Sequence, residues 1–285
     1  MNAIQDTFHR MVQAEWNDDT TAAAWSKWAA KQVAQTQAIS DAMLARTDIR
    51  PGMQVLDLAC GTGDPAVRIA GLVGPKGRVT ACDLSKQMLA ACEDNAALAD
   101  RANMRFAQAD VHTLPFDDEV FDRVTSRFGI MYFVDVARAL REVRRVLRTH
   151  SIASFVAWGP LEMNPFFSCA LGPFFSRLRP SPPPPDAPTP FRFAAEGQIA
   201  TVLGKAGFSN VREERVVVPM PWPGTPQELW QHIYEVGAPL RPIFDGLGAA
   251  ERDRAISEVL AGFNQYFDGK SVTTPGCVMI ATGEK

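Results

Sequence analysis

The turn near residue 60 constrains the fold more than any other part of the chain. The segment VLDLACGTGDPA, residues 55–66, runs from strand-forming residues through Gly61 and Gly63 to Asp64-Pro65, where aspartate is a favoured N-cap and proline suits the first helical position. Glycines without Cβ atoms let a ligand lie against the backbone, and their N–H groups with the following helix N-terminus favour a negatively charged group. The segment therefore predicts a strand–turn–helix unit that binds a ligand.

Short apolar runs alternate with amphipathic patterns from this turn to about residue 158. The predicted strands are Met53–Leu58, Arg78–Asp83, Met104–Ala107, Phe121–Ser126, Ile152–Trp158, Val211–Val218 and Cys277–Thr282. Helices are predicted over 20–46, 65–73, 85–98, 135–147 and 194–206, and the segment 226–267 is expected to be mainly helical. Because such alternation is typical of βαβ units, we predict an α/β fold with a Rossmann-like, seven-stranded, mostly parallel sheet and helices on both faces.

The remaining segments are expected to flank this core and to close its ligand crevice. The predicted organisation is an N-terminal helical cap (1–50), a ligand-binding core (51–158), a Pro-rich lid insert (159–193), a core continuation (194–218), a helical lid insert (219–270) and a last core strand (271–285). The run PSPPPPDAPTP at 180–190 predicts a stiff surface loop, with a Pro-rich recognition motif as the alternative. Both inserts are rich in aromatic residues, which favours a dry pocket for an apolar or aromatic compound.

Composition narrows the class of partner. A net charge of −3, from 29 basic and 32 acidic residues, lacks the basic excess that nucleic-acid binding requires. The five cysteines show no paired or metal-binding spacing, so we expect reduced thiols and no metal site. With no secretory pattern at the start and no long apolar run, we expect a cytoplasmic protein without a membrane span. The sequence does not indicate an oligomeric state.

Asp83 adds a second ligand-binding feature to the glycine turn. It ends the predicted strand VTACD, twenty residues after Gly63, where a carboxylate can accept hydrogen bonds from both hydroxyls of a ribose. The glycine turn and Asp83 together indicate an adenosine-containing ligand. By themselves they leave a nicotinamide dinucleotide open.

Four segments resemble motifs of class I methyltransferases that use S-adenosylmethionine (SAM), and the chain is most similar to the ubiquinone/menaquinone C-methyltransferase-like group. The segments are LDLACGTG at 56–63, VTACDLSKQML at 79–89, FAQADVHTLPF at 106–116 and FDRVTSRFGIMYFVD at 121–135. The resemblance covers about residues 50–158. It implies a methyltransferase with SAM as cofactor and S-adenosylhomocysteine as product.

The resemblance also implies roles for particular residues. The implied cofactor-binding residues are Asp57, Ala59, Gly61, Gly63, Asp83, Leu84, Met88, Asp110, Val111 and Arg127. Asp57 and the backbone of the glycine turn would hold the methionine part, and Asp83 the ribose. Asp110 and the Val111 N–H would hydrogen-bond the adenine, while Ser126–Phe128 would pass beneath the sulfonium. A carboxylate at Asp57 suits the cationic groups of SAM and would repel a pyrophosphate.

The acceptor and the catalytic group are less defined. Trp25, Trp28, Phe128 and Tyr132 are the expected acceptor-pocket residues, and Tyr132, which follows the fourth strand, is the candidate proton acceptor. His9, His112, His232 and Tyr234 are further titratable candidates without a pairing pattern. Quinone C-methyltransferases usually carry an Arg-Asn pair after the fourth strand. This chain has Gly129-Ile130-Met131-Tyr132 there. The difference weakens the expectation that its acceptor is a quinone.

The sequence thus predicts an enzyme that moves a methyl group from SAM to a small, apolar or aromatic acceptor by in-line displacement. One alternative is a SAM-binding scaffold or partner subunit without catalysis. A more distant alternative is an NAD(P)-dependent oxidoreductase.

Overall fold

The computed structural model describes residues 3–184 and 186–285 and builds them around one seven-stranded sheet. The strands are β1 (Gln54–Leu58), β2 (Arg78–Asp83), β3 (Met104–Gln108), β4 (Phe121–Arg127), β5 (Leu147–Trp158), β6 (Ser209–Trp222) and β7 (Val272–Glu284). Their order is β3-β2-β1-β4-β5-β7-β6, with β1 to β5 parallel and β7 antiparallel to both β5 and β6. The predicted fold class is confirmed.

Ten α-helices surround the sheet within the described residues. They are α1 (Ala3–Trp16), α2 (Asp19–Thr47), α3 (Ala66–Val73), α4 (Lys86–Leu98), α5 (Val136–Val146), α6 (Pro165–Leu178), α7 (Gln198–Lys205), α8 (Pro226–Val236), α9 (Arg241–Phe244) and α10 (Ala249–Asn264). The helices predicted over 20–46, 65–73, 85–98 and 135–147 are confirmed to within one residue at each end. Among the described helices, none has the length and apolar character that a bilayer crossing requires.

Two local features are not as the sequence indicated. The Pro-rich insert 159–193 is not loop throughout, because α6 occupies Pro165–Leu178. Pro165 stands in the first turn, where its missing N–H is not needed. The residues that α6 buries follow a helical period and are Phe166, Phe167, Ala170, Leu171 and Phe174. Asp64 is not a helix cap either: α3 begins at Ala66 with Pro65 in the N-cap position, and no described side chain caps it.

The site is positioned by the strand order. The chain leaves the sheet centre in opposite directions from β1 and β4, and the carboxyl ends of these strands open a crevice at that point. Asp57 on β1 lies level with Ala81 on β2 and Thr125 on β4. The loops that follow these three strands therefore meet at one edge of the sheet. Helices α1, α2, α6 and α8 contribute residues over this edge.

Candidate functional site

A cavity of about 280 Å³ lies at the carboxyl edge of the sheet. Its two ends differ in chemistry. The polar end is lined by the loops after β1, β2 and β3 with one face of α2: Leu58–Thr62, Asp64, Cys82–Leu84, Ala109–His112, Gln32, Gln35 and Thr36. The aromatic end is lined mainly by rings: Trp16, Trp25, Phe128, Tyr132, Trp158, Phe166, Phe167 and His232. All three regions expected to form a lid, namely α2 and the two inserts, contribute to this lining.

The glycine turn and Asp83 are joined directly at the polar end. Asp83 Oδ2 accepts a hydrogen bond from the Gly61 N–H at 2.8 Å, and Oδ1 accepts one from the Ser85 N–H at 2.9 Å. Burial raises the pKa of the Asp83 carboxyl. Gly61 has φ +54°, and a Cβ built there meets no atom within 4 Å. A side chain at this position would therefore be strained and would occupy open space beside the turn.

Gly63 has a different role from Gly61. A Cβ at Gly63 would lie 3.1 Å from both Cys92 Sγ and Val67 Cγ2, and Gly63 is not part of the cavity lining. Its missing side chain lets the turn pack against α4. The structure thus places Ala59 and Gly61 at the cavity and Gly63 behind it, where the sequence predicted one ligand-binding set.

Asp57 lies just behind the cavity wall. Its side chain is buried, and Oδ1 accepts a hydrogen bond from Thr125 Oγ1 at 2.6 Å. Oδ2 has no hydrogen-bond partner among the described residues. Burial raises the pKa of Asp57 to about 7, against the opposing effect of the Thr125 hydrogen bond. A buried carboxyl with a free oxygen makes the wall beside it a favourable place for a cation.

Arg127 holds α2 above the glycine turn. Its guanidinium forms an ion pair with Asp64 at 2.5 Å and donates to the hydroxyls of Thr36 and Ser40 at 2.6 and 2.9 Å. The residue lines the cavity, as the resemblance implied, but its charge is already paired. The same ion pair explains why Asp64 does not cap α3.

Asp110 lines the cavity together with Leu84, Met88 and Val111, the other implied adenine-side residues. Its Oδ1 faces the His112 backbone N–H at 2.9 Å and His112 Nδ1 at 2.5 Å, and its Oδ2 faces His9 Nε2 at 2.7 Å. We call this group the His9–Asp110–His112 clasp. A carboxylate has about four acceptor positions, so Asp110 Oδ2 retains one for an adenine amino group. Hydrogen bonds to His112 and His9 lower the pKa of Asp110 despite its burial.

The clasp also has the composition of a metal site, since its three ligand atoms lie within 4.8 Å of one another. The hydrogen bonds argue for a different assignment. His112 Nε2 accepts the backbone N–H of Asp135 at 3.1 Å, so the ring proton belongs on Nδ1, which donates it to Asp110. A protonated Nδ1 has no lone pair for a metal ion. The clasp is therefore a hydrogen-bonded connection between α1 and the loop after β3.

The aromatic end is built from stacked rings. Phe128 has φ +63°, which is uncommon for a residue other than glycine, and its ring stacks on Trp158 with centroids 4.2 Å apart and planes 12° apart. Trp158 in turn contacts Phe166 and Phe167, with centroids at 6.4 and 5.0 Å. Trp16 of α1 and Tyr132 form an edge-to-face pair with centroids 5.5 Å apart. These surfaces form an apolar slot continuous with the polar end.

Three of the four expected acceptor-pocket residues line the cavity, and Trp28 does not. Trp25, Phe128 and Tyr132 are in the lining. Trp28 instead donates from Nε1 to Glu235 at 2.7 Å and packs on Trp222. The two tryptophans are three residues apart on α2, but only Trp25 belongs to the face that meets the cavity.

Tyr132 and a neighbouring carboxyl form the candidate proton-transfer region. Burial, and then the charge of Glu15, raise the pKa of the Tyr132 hydroxyl. Glu15 lies on α1, and burial raises its pKa to about 7. Sequence reasoning missed Glu15 because α1 had not been predicted as a separate helix.

Several buried polar atoms of the cavity wall have no hydrogen-bond partner among the described residues. They are Gln32 Oε1, Gln35 Nε2, Trp25 Nε1, and both ring nitrogens of His232. Buried polar groups are normally paired, so these atoms mark places where a polar ligand or an ordered water binds. Gln32 and Gln35 lie one helical turn apart on α2. Two polar residues on an otherwise buried helix face were the available signal for them in the sequence.

The comparisons with known proteins agree with this geometry. A model of the ubiE/COQ5 methyltransferase family matches residues 33–180, which is more than half of the chain. The chain belongs to this family. The predicted resemblance is thereby confirmed, and the match includes α2 from Val33 onward, β1 to β5 and α6.

Individual relatives match a part of the family region. The ubiquinone/menaquinone biosynthesis C-methyltransferase of Idiomarina loihiensis is 43% identical over 103 residues, which cover 35% of this chain and 40% of that protein. The 2-phytyl-1,4-naphtoquinone methyltransferase of Trichormus variabilis is 37% identical over 111 residues, covering 39% of this chain and 48% of that protein. The chain thus spans about half the length of the curated relatives it matches.

Among solved structures, the YcgJ protein of Bacillus subtilis superposes with a TM-score of 0.56 at 19% identity, covering 87% of this chain and 98% of that one. At this identity the likeness shows the fold alone. It extends the agreement beyond the family match to most of the chain.

Proposed function

We propose that this member of the ubiE/COQ5 methyltransferase family transfers a methyl group from SAM to a small acceptor with an aromatic or otherwise apolar body. The observation that carries the proposal is the pairing of two buried carboxyls with the glycine turn. Asp83 is fixed on the Gly61 N–H at 2.8 Å, and Asp57 keeps a free oxygen behind the wall. This arrangement suits an adenosine compound that is also a cation.

The residues present fit SAM at the polar end. Asp83 and the loop from Asp110 to His112 would hold the ribose and adenine, where Leu84 and Met88 offer apolar contacts. Asp57 would supply negative charge near the ammonium and sulfonium. The amide of Gln35, whose Nε2 lacks a described partner, would donate to the carboxylate. A dinucleotide fits less well because Asp57 would repel its pyrophosphate.

When bound, SAM supplies an electrophilic methyl group on a sulfonium sulfur. The protein's part is then to orient the acceptor in line with that group and to exclude water. Phe128 and Trp158 form a flat apolar surface next to the glycine turn, which would fix the plane of an aromatic acceptor. Where the acceptor must lose a proton, the protonated Tyr132 hydroxyl in the lining would relay it, giving its own proton to the carboxylate of Glu15 as it takes the proton of the acceptor.

The relatives named as quinone methyltransferases suggest an acceptor class without defining the compound. Their names refer to ubiquinone and menaquinone biosynthesis and to 2-phytyl-1,4-naphtoquinone, and a ring compound of this kind is in keeping with a ring-lined slot. The Arg-Asn pair usual after the fourth strand is replaced here by Gly129-Ile130-Met131-Tyr132. We therefore propose an aromatic ring compound and not specifically a quinone. Five free cysteines suit a reducing compartment, and we propose the cytoplasm.

The test is calorimetric titration of the purified chain with S-adenosylhomocysteine, beside NAD and NADP. We expect only S-adenosylhomocysteine to bind, and the Asp83→Ala variant to bind it at least about 100-fold more weakly, because a buried ribose hydrogen bond to a charged group is lost. Asp94→Ala, a change at an exposed position on α4, is the matched control and should bind as the wild type does.

Binding of NAD without S-adenosylhomocysteine would instead support the oxidoreductase alternative. The scaffold alternative is tested by incubating the protein with methyl-labelled SAM and a mixture of phenols, naphthols and hydroquinones. Cofactor binding without label transfer to any of these aromatic acceptors would favour a scaffold over an enzyme.

A further inference from the structure

His232 is a buried histidine on α8 that the proposed chemistry leaves unused. Its side chain is 3% exposed and belongs to the lining of the aromatic end. The ring stacks on Trp222, with centroids 4.5 Å apart and planes 29° apart, and it meets the edge of Trp28 at 5.9 Å. Aromatic packing therefore fixes its orientation from outside the cavity.

The polar atoms of this ring lack partners. Neither Nδ1 nor Nε2 of His232 has a hydrogen bond to any of the residues that the structure describes. Leaving buried polar atoms unpaired costs about 1–3 kcal/mol each, so such atoms usually mark a place where a ligand or an ordered water binds. Burial lowers the pKa of His232 to about 3, so the ring is neutral and presents one donor and one acceptor nitrogen.

The position of His232 separates it from the reacting atoms. It contacts Phe166 at 6.3 Å, Phe166 contacts Trp158 at 6.4 Å, and Trp158 stacks on Phe128, whose neighbour Gly129 packs against Ala59. His232 is therefore three ring contacts away from Phe128. Such a residue orients the acceptor and selects it, and does not receive the proton of the reacting atom.

The surroundings define the group that His232 can bind. Phe166 contacts the ring, and the side chains that β6, the end of α8 and the segment after it add to the lining are apolar: Met220, Val236, Pro239 and Leu240. The nearest carboxylate, Glu235, is outside the lining and is taken by Lys27 and Trp28. A charged group would be uncompensated here. A hydroxyl suits the site because it can donate a hydrogen bond to the unprotonated ring nitrogen or accept one from the ring N–H.

We infer that His232 is the specificity-determining residue of the acceptor site and hydrogen-bonds a hydroxyl carried by an aromatic acceptor on the side away from the methylated atom. This inference rests on the proposed function, because it takes the aromatic end as the acceptor site. It narrows the acceptor class to hydroxylated aromatic compounds.

The experiment compares two probes that differ by one hydroxyl, 4-methylphenol and toluene. The protein is first titrated with S-adenosylhomocysteine, and each probe is then titrated calorimetrically into the saturated complex. We expect 4-methylphenol to bind at least about ten-fold more tightly than toluene, because toluene leaves the His232 nitrogens unpaired. In His232→Phe, which keeps an aromatic ring and removes both nitrogens, the two dissociation constants should become equal within about two-fold.

Two variants separate recognition from packing. His232→Gln keeps a donor and an acceptor and should restore part of the preference for 4-methylphenol. Tyr234→Phe removes a polar group from an exposed ring on the same helix, where it donates to Asp245, and should keep the full preference. The thermal midpoint of each variant is measured, and a stable His232→Phe shows that the loss concerns recognition.

Equal binding of the two probes to the wild type, absence of binding by both, or a preference that survives in His232→Phe would each overturn the inference. Failure of the proposed function is a separate result, since it appears in the first titration as absent S-adenosylhomocysteine binding. In that case the probes are titrated into the unliganded protein, and the same preference decides the role of His232.

Discussion

The two ends of the cavity are built in different ways. The polar end is assembled from three short loops, each directly after a strand, and its hydrogen bonds join residues such as Gly61 and Asp83 within the core. The aromatic end takes Phe128 and Tyr132 from the loop after β4, and its other rings come from α1, α2, β5, α6 and α8, which are distant in sequence. A binding surface made of loops on fixed strand ends depends on local sequence, whereas one made of packed rings depends on the whole fold. The proposed division, cofactor at one end and acceptor at the other, follows this difference.

The largest effect that would test the division is expected from Gly61→Val. A valine is strained at φ +54°, and its side chain would occupy the open space beside the turn. S-adenosylhomocysteine binding should therefore weaken at least about 100-fold in calorimetry. Binding of toluene at the aromatic end should change by less than about two-fold.

Gly197→Val is the matched control, because Gly197 also has left-handed backbone and open space but lies outside the lining. It should lower the thermal midpoint by a similar amount and leave cofactor binding unchanged. Equal loss of binding in both variants would mean that strain in the fold, and not occupation of the site, explains the Gly61 result.

A smaller effect is expected from Asp57→Asn, which tests the charge at the polar end. Because burial raises the folded-state pKa of Asp57 to about 7 from its usual 3.8, the folded protein binds a proton more readily than the unfolded chain between these values. The unfolding free energy of the wild type should therefore fall as pH rises from about 4 to 7, relative to the variant. At pH 8 the variant should be more stable, by about 1–3 kcal/mol, and should bind SAM about ten-fold more weakly.

The measurement is chemical unfolding across pH together with SAM titration at pH 6 and pH 8. Wild-type affinity for SAM should increase with pH, because the ionised carboxylate attracts the cation. The same pH dependence in Asp57→Asn would assign it to another group and would remove the electrostatic basis of the polar end.

The smallest effect is expected from His9→Ala, which concerns the contact between α1 and the polar end. Loss of the His9–Asp110 hydrogen bond should lower the unfolding free energy by about 1 kcal/mol and change S-adenosylhomocysteine affinity by less than about five-fold. His9→Gln, which keeps a donor, should restore most of the stability. A large loss of binding in His9→Ala would indicate that α1 contacts the cofactor directly. It would contradict the assignment of cofactor binding to the strand-end loops alone.

The same difference explains what the sequence could predict. Asp83 and Gly61 stand in a contiguous motif, and β1 to β5 with their helices follow from periodicity, so the core and most of the polar end were predictable. That Trp25 lines the cavity and Trp28 does not could not be predicted, because two tryptophans on one helix are not distinguished by spacing alone. The packing of Gly63 on Cys92 and the pairing of Asp64 with Arg127 could not be predicted, because these partners are remote in sequence.

His232 was named as a titratable candidate but could not be given a role from the sequence. Its stacking on Trp222 requires α8 to pack beside the end of β6, a tertiary arrangement without a local signal. The helix α6 was missed for a related reason, since proline and glycine in its sequence outweighed the helical period of its buried rings.

The single helix α1 touches both ends of the cavity. His9 holds it to Asp110 at the polar end, and Trp16 holds it to Tyr132 at the aromatic end. If cofactor and acceptor bind at the two ends, a displacement of α1 exposes both of them together. Both ligands would then enter and leave through the same displacement of α1, so that their exchange rates rise and fall together. A substitution at either contact of α1 would change the exchange rates of both ligands.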